Sequence, residues 1–118
     1  MLADQFDRIS PGITYKSDTQ DHTFYTTINS DKNGKVFEIF VRLDDPDHFE
    51  MIQLVTRLSS ALLQNGYDPL ALSKELQDVY SPITMHMIPG TNTMCPSIIA
   101  RIGLILEEHI IKAKNGMA

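Results

Sequence analysis

One cysteine, four histidines and a knot of carboxylates are the side chains through which this chain could do chemistry. Cys95 stands immediately before Pro96, at an expected helix start. That position lowers a thiol pKa and favours a thiolate or a metal ligand. No local helper residue accompanies it, so the expectation is a small buried hydrophobe that doubles as a weak cap. His22, His48, His86 and His109 show no tight ligand spacing among themselves. Asp44, Asp45, Asp47 and Glu50 cluster around Pro46 but lack the Gly-centred, periodic ligands of a calcium loop. They are expected to form a solvated turn that leads into a capped helix. Met85, Met87 and Met94 lie close to His86 and are expected to fill the core or a loop, with an adaptable contact surface as the alternative. Neither a nucleophile–base pair nor a Gly-rich phosphate loop is visible. The chain is therefore expected to be no enzyme and to need no cofactor and no metal.

The elements that must position these residues can be read from their spacing. Ile13–Ser17 alternates as a short edge strand behind an arm over residues 1–12. Phe24, Thr26 and Ile28 alternate with Tyr25, Thr27 and Asn29, and Asn33-Gly34 offers the positive-φ positions of a tight turn. Phe37, Ile39, Val41 and Leu43 then share one face of a return strand. A helix follows, with Asp47 as N-cap, Glu50 in capping-box spacing, and Met51, Val55, Leu58 and Leu62 as its apolar stripe, widened by Ile52, Leu54 and Leu63. Gly66 stops it, and Asp68 with Pro69 opens a second helix whose buried side holds Leu72, Leu76 and Val79. Residues 83–88 are a strand or an extended loop. Pro96 opens a last helix carrying Ile98, Ile102, Ile105 and Leu106, in which Gly103 hints at a close backbone approach. The expected fold is α+β: an antiparallel sheet of three to four strands with three helices packed on one face. One domain over residues 13–114 and a tail over 115–118 complete the organisation. Its core is expected to hold Ile28, Phe37, Ile39, Val41, Val55, Leu58, Leu62, Leu76, Ile98, Ile102 and Ile105.

Composition narrows the partners. The 118 residues are 42% hydrophobic and 21% charged, which suits one globular domain with a single core. The net charge of −5, with lysines and arginines scattered and never adjacent, argues against nucleic acid and against an anionic membrane surface. A lone cysteine excludes an intramolecular disulfide, and the first residues lack the basic start and apolar run of a signal peptide. The expected compartment is cytoplasmic.

Three blocks in this order resemble the TSCPD domain, found at the C-terminal end of adenosylcobalamin-dependent ribonucleotide reductases and as small free-standing proteins. The first is Phe24-Tyr25-Thr26-Thr27-Ile28-Asn29 with its turn and Phe37-Glu38-Ile39-Phe40. The second is the helix–glycine–helix around Asn65-Gly66-Tyr67-Asp68-Pro69. The third is Thr93-Met94-Cys95-Pro96-Ser97, which is similar to the motif that names the family. The motif's serine is Met94 here and its aspartate is Ser97. The family's other cysteines, before the hairpin, after its second strand and after the second helix, are missing.

Ribonucleotide reduction needs a thiyl-forming cysteine and a further thiol pair, which Cys95 alone cannot supply. The resemblance therefore implies a relative of the reductase domain and not a reductase. His22 and His48 fall near places where the family often carries cysteine, so His22, His48, His86 and Cys95 form an alternative metal set. The expected function is a non-catalytic binding or regulatory module that docks on a protein: a ribonucleotide reductase, another nucleotide-metabolism protein, a host protein or a second copy. The alternatives are a metal-binding structural protein, or a phage-encoded domain repurposed to modulate a host protein. The expected docking face is the wet side of the hairpin, with Tyr25, Thr27, Val36, Glu38, Phe40 and Arg42.

Overall fold

The structure, a computed structural model, describes residues 12–116. The expected arm therefore lies, Gly12 apart, outside the described residues, as do the last two positions of the expected tail. Strands β1 (Ile13–Asp18), β2 (Thr23–Ser30) and β3 (Val36–Leu43) form an antiparallel sheet in that order. Helix α1 (Pro46–Gln64) and helix α2 (Pro69–Gln77) follow, then two short strands, β4 (His86–Met87) and β5 (Met94–Cys95), and helix α3 (Ile98–Lys114). The fold is α+β, with three helices among the described residues. The expected fourth strand does not join the main sheet, because β4 and β5 pair only with each other.

The hairpin register sets the core. Phe24 pairs with Leu43, Thr26 with Val41 and Ile28 with Ile39. These six side chains are buried on one face. The turn is longer than Asn-Gly alone suggests. Only Gly34 takes a positive φ, of 84°. The Asp31 carboxylate accepts from the backbone N–H groups of Asn33 and Lys35, each at 2.9 Å, and so shapes a five-residue loop. The extra residue shifts the register beyond Asn29. That shift turns Val36 inward, where it is buried, so Val36 does not belong to the wet face on which the alternation placed it.

Helix α1 begins earlier than expected. Asp45, and not Asp47, is the N-cap, and Pro46 occupies the first turn, where its missing N–H costs nothing. The buried stripe is rotated toward one side of the expected one. Ile52 and Leu63 of that stripe face inward together with Thr56 and Ser59, while Met51, Leu54, Leu58 and Leu62 are exposed and Val55 is half-buried. Short polar side chains let α1 come close to β3. Ser60 Oγ accepts from the backbone N–H of Ile39 at 3.0 Å and donates to its carbonyl at 3.2 Å. Gln64 Nε2 donates to the carbonyl of Phe37 at 3.3 Å. The helix therefore covers the outer edge of β3 and satisfies backbone groups that an edge strand leaves open.

Asp68 caps α2 as expected, accepting from the N–H of Ala71. Val79 lies past the end of α2 and is exposed, so it is not part of that helix's buried side. Helix α3 is capped by Ser97 and not opened by Pro96: Ser97 Oγ accepts from the N–H of Ala100 at 2.9 Å and donates to the carbonyl of Val79 at 2.6 Å. Phe37, Ile39, Val41, Leu76, Ile98, Ile102 and Ile105 are buried as the spacing predicts. Met85, Met87 and Met94 are exposed, which excludes them from the core. No helix among the described residues is long and apolar enough to cross a membrane.

Candidate functional site

The fold separates the expected metal set into two pairs. His86 and Cys95 face each other across the β4–β5 ladder. Both are buried, and Arg101 of α3 stands beside them. The ring of His86 is fully used. Its Nδ1–H donates to the carbonyl of Thr84 at 2.9 Å, and its Nε2 accepts from Arg101 at 3.0 Å. Burial, with the Arg101 charge behind it, holds this imidazole below its usual pKa. Burial pushes the Cys95 thiol up, against the hydrogen bonding to Ser97 and the charge of Arg101. Cys95 Sγ donates to the carbonyl of Ser97 at 3.3 Å. A neutral thiol and a guanidinium therefore stand where a metal set through Cys95 would need a thiolate and room for a cation.

His22 and His48 come together elsewhere, with Asp45 between them. His22 Nε2 lies 3.5 Å from Asp45 Oδ2, and His48 Nδ1–H donates to the same oxygen. The two rings are 5.8 Å apart, edge to face. The chain brings these residues together by register. The outermost rung of the ladder pairs Phe24 with Leu43, and two residues further out His22 stands across from Asp45. His48 lies three residues beyond Asp45, in the first turn of α1. Neither step shows in the spacing of the histidines, 26 residues apart by number (48 − 22). His109 is separate: its Nδ1 is 2.8 Å from the hydroxyl of Tyr15, and the ring is buried.

The expected docking face is present only in part. Arg42 lies over the ring of Tyr25, 4.7 Å from its centroid, and the hydroxyls of Thr14 and Thr27 are 2.8 Å apart. Glu38 accepts from Asn29 Nδ2 at 2.6 Å. Tyr25, Thr27 and Glu38 are thus half-buried by their own strand neighbours. Phe40 is 59% exposed, and it borders a groove with Phe49, Leu54 and Leu58. On the outer side of α1, Met51 is 56%, Leu54 50%, Leu58 56% and Leu62 45% exposed. These four recur at helical spacing and make a continuous apolar ridge. Periodicity places all four on the apolar stripe, and Leu58 and Leu62 in the core, whereas all four are exposed. Beyond Met51, a second cleft is lined by Val79, Tyr80 and Ile99.

No curated protein and no solved structure matches the chain. The family model of the TSCPD domain does match, over residues 7–110, which takes in the hairpin, α1 and α2, the Cys95 motif and most of α3. With nearly the whole described fold inside that match, the chain belongs to the TSCPD domain family.

Proposed function

We propose that this chain is a non-catalytic docking module that binds a protein partner through the outer ridge of α1 and the adjoining Phe40. One observation carries the proposal: α1 buries Thr56 and Ser59 while it exposes Met51, Leu54, Leu58 and Leu62. Burying an aliphatic side chain is worth about 1.5–3 kcal/mol, so a helix that turns four of them outward leaves a large favourable term unused in the isolated chain. A contiguous apolar ridge flanked by an aromatic ring has the make-up of an interface core. Its helical spacing suits an apposed amphipathic helix lying along the groove. The TSCPD relationship points to a ribonucleotide reductase chain as that partner.

The test pairs the purified chain with a purified adenosylcobalamin-dependent reductase lacking its own TSCPD domain. Binding is read by calorimetry, and self-association by sedimentation. The unsubstituted chain should bind the reductase in the micromolar range or tighter. Leu58→Asp should weaken binding at least about tenfold, the factor that corresponds to 1.4 kcal/mol. Its melting midpoint should stay close to that of the unsubstituted chain. A chain that leaves the reductase unbound, or a Leu58→Asp chain that binds unchanged, defeats the proposal. Self-association in place of reductase binding would also reject the reductase as partner.

A further inference from the structure

We propose that His22, Asp45 and His48 bind one divalent first-row transition ion, with Zn2+ the best fit, and that the ion staples the open end of the hairpin to the first turn of α1. The three residues come from separate places in the fold: the turn before β2, the residue that caps α1, and the first turn of that helix. One ligand atom from each lies within 4.8 Å of the others. Zn–N and Zn–O bonds are both near 2.0–2.2 Å, so ligand atoms around one tetrahedral ion sit roughly 3.3–3.5 Å apart. The 3.5 Å between His22 Nε2 and Asp45 Oδ2 already has that separation. His48 has to release its hydrogen bond to Asp45, carry its ring proton on Nε2 instead of Nδ1, and move outward for its Nδ1 to become the third ligand.

The surroundings hold these ligands ready. Asp45 uses its other oxygen, Oδ1, to accept from the N–H of Asp47 at 3.0 Å, which orients the carboxylate and leaves Oδ2 toward the imidazoles. His22 is fixed from behind by its turn. Its N–H donates to Thr19 Oγ1 at 2.8 Å, and its carbonyl accepts from the N–H of Thr19 at 2.8 Å. Both imidazoles have 26% of their side-chain surface exposed and Asp45 has 11%, so an ion can enter and still lose part of its water.

The local field also favours a cation. The cleft beside the cluster is lined by Asp21, Asp44 and Asp45 together with His22, and no lysine or arginine is among its lining residues. These carboxylates outweigh the partial positive charge of the α1 N-terminus. Two nitrogens and one oxygen select an imidazole-preferring ion over Mg2+ or Ca2+, which favour oxygen alone. Three protein ligands leave a position for water.

The experiment uses the full, untagged chain, stripped with a chelator and titrated with ZnCl2 in a calorimeter. Co2+ in a parallel sample reports coordination through its visible absorption. One ion per chain should bind at micromolar affinity or tighter, and the melting midpoint should rise with added Zn2+. His22→Ala and His48→Ala should each weaken binding by about tenfold or more. Asp45→Asn should do the same while still capping the helix, since Asn is a good N-cap. His22 lies outside α1, so His22→Ala keeps the test open if the other two variants fold poorly. Absence of Zn2+ uptake by the folded chain would sink the proposal. So would binding that survives His22→Ala and His48→Ala, or binding that is lost in Cys95→Ser and kept in His22→Ala.

Discussion

At the scale of single residues, Cys95 shows how a helix-start motif can hold an inert thiol. Ser97 takes over the capping role two residues later, so the free N–H groups of α3 turn to Ser97 Oγ and not to the sulfur. Cys95 is wholly buried, and burial raises its pKa. A neutral buried thiol is a poor nucleophile. In the folded chain Cys95 should therefore resist a colorimetric disulfide reagent and react only on unfolding. Cys95→Ser should lower stability by about 0.5–3 kcal/mol, read as a shift of the urea midpoint, because a hydroxyl replaces a small apolar group in a filled site. Rapid labelling of the native chain would contradict this account. The spacing already suggested the inert role, but the cap itself needed the backbone path to be known.

At the scale of elements, the clearest constraint is the contact between α2 and α3. A Cβ built on Gly103 would lie 2.7 Å from the carbonyl oxygen of Ser73 and 2.9 Å from Leu76 Cβ. The first of these is backbone and cannot rotate away. Gly103→Ala would gain about 1 kcal/mol of helix propensity. It should nevertheless destabilise the chain by a net of about 1–3 kcal/mol, the cost of overpacking, measured by urea unfolding. An unchanged or raised midpoint would mean that the helices can part without cost. Here the sequence was legible, since a glycine inside an apolar helix already pointed to a close approach. Helix α1 was legible in extent to within two residues and only in part in orientation, since Ile52 and Leu63 face inward as the stripe predicts and Leu58 and Leu62 do not. The Leu58–Leu62 stripe has the stronger hydrophobic signal, but the edge of β3 needs hydroxyls and an amide, which Ser60 and Gln64 supply. Satisfying those backbone groups decides the face, and the aliphatic side chains turn outward. The resemblance groups His22 with His48, but their meeting at Asp45 was invisible in the spacing for a related reason. Ligand spacing along the chain says nothing about residues joined across a hairpin, whereas adding two rungs to the β2–β3 register finds His22 and Asp45 at once.

At the scale of the whole molecule, two buried histidines tie the sheet to α3 and make stability depend on pH. His109 holds Tyr15 of β1 through Nδ1, with Lys112 close by over the Tyr15 ring, and His86 joins the β4–β5 ladder to Arg101. Burial lowers the pKa of both imidazoles, and the neighbouring Lys112 and Arg101 charges push in the same direction. In the unfolded chain each histidine titrates near its ordinary value of about 6.5. Between the lowered folded value and about 6.5, the unfolded chain thus binds more protons, and stability rises with pH. Full stability is present above about pH 6.5 and falls as the pH drops through the folded values. A second loss follows at lower pH, where Glu107, held below its usual pKa by Lys74 and Gln77, takes up its proton. Urea midpoints measured from pH 8 to pH 5 should therefore decline on the acid side before the loss that follows Glu107. His109→Gln can still accept from Tyr15 and cannot ionise, so it should flatten part of that decline, and His86→Gln with it should remove most of the rest. A midpoint that stays level between pH 7.5 and pH 5, or an unaltered slope in the double variant, would show that these two rings do not couple folding to protons.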